Sequence, residues 1–84
     1  MAMSLLELLE KEKWAAHAVN KAYDEIAAWH EAADDHSKEF GESFYHWCME
    51  HVERSQNDFD NAAEELREIR KQIKEHIAMI MAIE

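Results

Sequence analysis

A seven-residue apolar repeat runs through the second half of this chain. Stepping alternately three and four residues from Tyr45, it passes Cys48, Val52, Ser55, Phe59, Ala62, Leu66, Ile69, Ile73, His76, Ile80 and Ile83, and only Ser55 and His76 are clearly polar. An average step of about 3.5 residues is the period of a helix seam that packs lengthwise on another helix. The repeat therefore constrains how the chain buries apolar surface. It names no reaction and no ligand.

The rest of the composition agrees with a helical reading. There is no proline and one glycine, Gly41. Both residue types punctuate turns, and an all-β fold needs many turns. Ala, Glu, Lys, Leu and Met dominate, and all are good helix formers. An 84-residue chain makes a single helical domain, expected over 1–84, and one this small buries only a modest fraction of its surface. One cysteine rules out an intrachain disulfide framework. The amino-terminal residues show neither a basic leader nor a long apolar core, so no signal peptide is expected. The uncharged run at 76–83 is too short to span a bilayer. The expected compartment is the cytoplasm, of a bacterium or of a host cell.

Ser4 followed by Glu7 forms a capping box. A helix over about 4–34 follows, with Leu5, Leu8, Ala15, Val19, Ala22, Ile26, Trp29 and Ala33 on one seam and Glu12 as its single intruder. Leu6, Leu9, Ala16 and Tyr23 widen that stripe, as in a helix that faces more than one neighbour. Asp34, Asp35, His36 and Ser37 are weak helix formers. With Gly41 close behind, they place a turn over about 35–42, and a second helix over about 43–84.

Two architectures follow. The segment 55–61 is rich in Ser, Asn and Asp, which favour caps over helix interiors. A bend there makes a monomeric three-helix bundle. A continuous helix makes a long antiparallel helical hairpin that dimerises into a four-helix bundle. The repeat keeps its phase across 55–61, and a loop would ordinarily reset it, so the all-α hairpin is the expected fold. Phe40, Phe44, Trp47 and His51 add an aromatic stripe beside the seam, and Ile77, Met79, Ile80, Met81 and Ile83 point nearly all round the last turns. Each such side chain gains about 1.5–3 kcal/mol on burial. A homodimer is expected to cover them, with Leu66, Ile69, Ile73, Ile77, Ile80 and Ile83 as oligomerisation residues.

The net charge of −10 is concentrated in the middle of the chain: residues 22–65 carry thirteen acids against Lys38 and Arg54. Glu50, Glu53, Asp60 and Glu64 recur at three-and-four spacing opposite the seam, with Asn57 at the missing step. On a continuous helix they span about 21 Å. Asp24, Glu31 and Asp35 point outward from the first helix in the same way. The simplest role of such a face is solubility. A sharper role is attraction of a basic surface, since an acidic field steers a cationic partner and repels nucleic acid.

The candidate chemistry is thin. Cys48 with His51, and His46 with Glu50, have spacings that supply two metal ligands each. No Glu-x-x-His and no second cysteine completes a site, so no metal and no cofactor is expected. Cys48 reads as a small core residue. No triad, nucleotide loop or nucleophile motif appears, so no enzyme is expected. Glu12 and His76, polar intruders on the two seams, meet in some antiparallel registers and would then make assembly sensitive to pH. Arg67, Arg70, Lys71 and Lys74 form one small basic ridge, but Glu64, Glu68 and Glu75 interleave with it. That mixture reads as intrahelical ion pairs, and direct nucleic-acid binding is disfavoured.

These features predict a small acidic module for protein–protein interaction. The partner-binding residues are Phe40, Phe44 and Trp47 as aromatic anchors, with Glu50, Glu53, Asp60 and Glu64 as an electrostatic guide. The more specific expectation is a phage-type inhibitor that binds a host nucleic-acid enzyme by imitating the DNA backbone, the partner being a basic nucleic-acid-binding protein and no membrane being involved. The alternatives are a scaffold or chaperone subunit that only assembles, and a metal-binding helical bundle.

Overall fold

Ser4 opens the first helix. Its backbone is extended, with φ −68° and ψ 159°, and its Oγ accepts the N–H of Glu7 at 3.2 Å. The computed structural model describes residues 4–83. Over them the chain is two α-helices, α1 (Leu5–Phe40) and α2 (Glu42–Ile83), packed antiparallel as a hairpin. Residues 1–3 and Glu84, and the side chain of Ile83, lie outside the described residues.

The reversal is tighter than the 35–42 turn read from composition. α1 runs on through Asp34, Asp35, His36 and Ser37 to Phe40, and Gly41 alone separates the helices. The propensity penalty of those residues is below about 0.7 kcal/mol each. Ala33 is 1% exposed on the seam just before them, and His36 packs against Phe40 and Phe44 at 6.4 Å between ring centroids. Packing outweighs propensity here. Gly41 takes φ 86° and ψ −175°. Its N–H donates to the carbonyl of Ser37 at 2.7 Å, and its carbonyl accepts the N–H of Tyr45 at 3.3 Å. One residue thus closes α1 and opens α2.

α2 is unbroken through 55–61, so the three-helix alternative with a bend there is not adopted. Ser55 is buried, Phe59 lies against Tyr23 with centroids 6.5 Å apart, and Gln56 Nε2 donates to Asp60 Oδ1 at 3.1 Å one turn on. The seam, Ser55 included, holds the segment helical, while Gln56, Asn57, Asp58, Asp60 and Asn61 turn outward.

The register follows from the short turn: Trp29 lies opposite His51, Tyr23 opposite Phe59, and Glu12 opposite Arg70. Leu8, Ala15, Leu66, Ile69 and Ile73 form the core of the open end, with Leu5, Ala16 and Val19 against them. Ala22, Ala33, Cys48, Val52 and Ser55 continue the buried line toward the turn. Every described seam residue from Cys48 to His76 is buried or half-buried, while Tyr45 and Ile80 at the two ends of the repeat are exposed. α2 is 42 residues long against 36 for α1. Its last six residues therefore overhang Leu5 by about 9 Å, which leaves Met79, Ile80 and Met81 exposed.

The overall dimensions are 65 × 17 × 15 Å. No helix among the described residues is long and apolar enough to cross a membrane.

Candidate functional site

One group of aromatic residues gathers toward the turn. α1 contributes Trp29, His36 and Phe40, and α2 contributes Phe44, Trp47 and His51. The His51 ring stacks on Trp29 at 4.1 Å and 11°, and Trp47 meets His51 edge-on at 4.6 Å and Trp29 at 5.3 Å. Phe44 continues the row, 5.9 Å from Trp47 and 5.5 Å from Phe40. Trp29, Phe44 and His51 are half-buried, whereas Phe40 remains 61% exposed and Trp47 49%. Such edge-to-face pairs add about 0.5–1.5 kcal/mol beyond their area. The row therefore stiffens the tip of the hairpin and still leaves two large ring surfaces in water.

The carboxylates adjoin this row. Glu50 follows Trp47 by one turn of α2, and Glu50, Glu53, Asp60 and Glu64 are all exposed. Because α2 is continuous, the ridge is uninterrupted by any turn and spans about 21 Å. Asp24, Glu31 and Asp35 are exposed on α1. The structure thus brings the predicted partner-binding residues onto one end and one outer edge of the hairpin.

The predicted oligomerisation residues divide. Leu66, Ile69 and Ile73 are buried against α1 within one chain. Ile77, just before the overhang, and Ile80, on it, remain exposed.

Two expected contacts are corrected. Glu12 meets Arg70, whose Nε donates to its Oε2 at 3.2 Å. The one-residue turn places Arg70 opposite Glu12 and carries His76 past it, so the contact on which a pH response was to rest is made by an arginine instead. The basic ridge is not locked in intrahelical pairs either. Arg70–Glu12 is the one ion pair among the described residues, leaving Arg67, Lys71 and Lys74 without a carboxylate within 4 Å there.

Those cations rim an open groove of about 600 Å³ along one flank of the hairpin. Val19, Ala63 and Leu66 form its apolar floor, and Arg67, Arg70, Lys71 and Lys74 line its edge. On the other flank of the same stretch, Glu64, Glu65 and Glu68 line a groove of about 470 Å³ with Lys11, Asn61, Ile69 and Gln72. In the sequence the basic groove is hidden by the acids that interleave with its bases. Heptad positions separate them: Arg67 and Arg70 fall to one side of the seam, Glu65 and Glu68 to the other.

Cys48 is fully buried, and both Trp29 and Trp47 pack on the His51 ring. Among the described residues no group of three or more His, Cys, Asp or Glu side chains comes together as a metal site. This chain matches no family model, no curated protein and no solved structure.

Proposed function

We propose that this chain is a non-enzymatic protein–protein interaction module that presents an aromatic tip and an acidic edge to a basic protein. The observation that carries the reading is their continuity: exposed Phe40 connects through Phe44 to exposed Trp47, which stands one helical turn before exposed Glu50 and the 50–64 ridge. Large aromatics supply binding energy at the centre of interfaces, and a same-sign ridge supplies rate and selectivity. Carboxylates about 5–10 Å apart along a helix, the wider gap falling at Asn57, resemble the phosphates of a nucleic-acid strand. The partner class is accordingly a basic nucleic-acid-binding protein, and the mode is that of a phage-type inhibitor that fills a DNA-binding groove.

The test is capture from a bacterial lysate on immobilised protein. Basic nucleic-acid-binding proteins are expected on the wild type, released by competing duplex DNA, and lost with the E50K/E53K/D60K/E64K variant. Capture that is unchanged by the fourfold reversal would remove the ridge from the function.

Self-association belongs to the same reading. Met79, Ile80 and Met81 are exposed on the overhang, Ile77 just before it, and Leu6, Leu9 and Tyr23 on α1. A set of this size ordinarily has cover. A homodimer of two hairpins, forming a four-helix bundle, supplies it. An assembly role alone, as a scaffold subunit, is the second reading, favoured by the same exposed residues.

A further inference from the structure

One face of α2 carries a pattern that is its own complement. Glu53, Asp60, Arg67 and Lys74 stand seven residues apart, at the same heptad position, and all four are exposed. Read along the helix they are acid, acid, base, base. Turned end for end, the same row reads base, base, acid, acid. A twofold rotation about a point midway between Asp60 and Arg67 sets Asp60 against Arg67 of a second copy and Glu53 against its Lys74, each pair occurring twice. Isologous contacts require such a self-complementary patch.

The surroundings of that point suit close approach. Ala63, which sits there, is half-buried and forms the floor of the basic groove with Val19 and Leu66. On α1, Leu9, Ala16 and Tyr23 also recur every seven residues. In an antiparallel pair they fall on the flank that carries Ala63 and Arg70 of α2. Tyr23 is 63% exposed and Leu9 is exposed too. The flank therefore has an apolar strip along α1 and a charged edge along α2, the core-and-rim plan of protein interfaces.

We propose that two copies of this hairpin associate antiparallel through this flank, α2 along α2, with the acidic half of each row seated on the basic groove of the other. The proposal rests on the self-association reading above and adds its face, direction and charge code. Each aromatic tip then lies at an opposite end of the dimer with Glu50 beside it, while Glu53 and Asp60 are taken up by the second copy, so a basic partner and the second copy compete for the acidic ridge.

The charge code can be broken and rewritten. Wild-type mass in solution, from light scattering or sedimentation equilibrium, is expected to be twice that of one chain. The E53K/D60K variant presents four bases and the R67E/K74E variant four acids. Each alone is expected to fall to half the wild-type mass with helical circular dichroism retained. Mixed together they are expected to form a one-to-one heterodimer. The E53K/D60K/R67E/K74E variant, which inverts the row and keeps the wild-type net charge, is expected to dimerise again. Half-variants that stay dimeric, or a mixture that stays monomeric, would overturn the proposal while leaving a dimer held by the overhanging end open to the I77K/I80K variant. A monomeric wild type would overturn both this proposal and the self-association reading.

Discussion

At the scale of single residues, Gly41 has the largest structural consequence. Its φ of 86° with ψ of −175° lies in a region that is essentially glycine's alone. A Cβ built there meets no atom within 4 Å, so substitution is opposed by backbone strain and not by crowding. Gly41→Ala is expected to lower stability by about 1–3 kcal/mol, seen as a lower urea midpoint with the helical signal intact in buffer. The position was legible as the chain's one glycine. The helical state of residues 34–37 was not, because weak local propensities point to a turn and only tertiary packing of Ala33 and the aromatic row reverses them. The Glu12–Arg70 pair was equally hidden. Glu12 stood out on its seam, but its partner is set by the number of residues in the turn, and a turn of one rather than several shifts the opposite helix by whole turns.

At the scale of elements, the seven-residue repeat proved a reliable guide: its described positions from Cys48 to His76 are those that α2 buries or half-buries against α1. Its unbroken phase also outweighed the cap-forming residues of 55–61, for a helix interior tolerates Ser, Asn and Asp when their neighbours on the seam are held. Asn57 lies on the exposed side of that segment. Asn57→Pro is expected to cost about 3 kcal/mol or more by removing a hydrogen bond and clashing with the preceding turn, whereas Asn57→Ala stays within about 0.5 kcal/mol. Thermal unfolding followed at 222 nm separates the two, and a proline tolerated there would mean the helix is interrupted in solution. The periodicity could not say which partner the seam serves. Leu66, Ile69 and Ile73 satisfy the same pattern whether they pack on α1 or on a second copy, and the hairpin assigns them to α1.

At the scale of the whole molecule, the acidic middle and near-neutral ends were readable as a block pattern, but the flank on which each charge sits depends on the helix-to-helix register. That is why the acidic edge was anticipated and the basic groove was not. The shape was implied by two long helices and one reversal, and it has a practical corollary. A compact chain of this size has a radius of gyration of about 12 Å, against 18.8 Å for this one. A particle nearly four times longer than it is wide drags and tumbles like a splinter, so it will leave a gel-filtration column early. Calibration against spherical standards is expected to overstate its weight even for a lone hairpin, and small-angle X-ray scattering checks this by giving a distance distribution with a long tail toward 65 Å. Stoichiometry for so slender a body must come from scattered intensity or sedimentation, never from retention time.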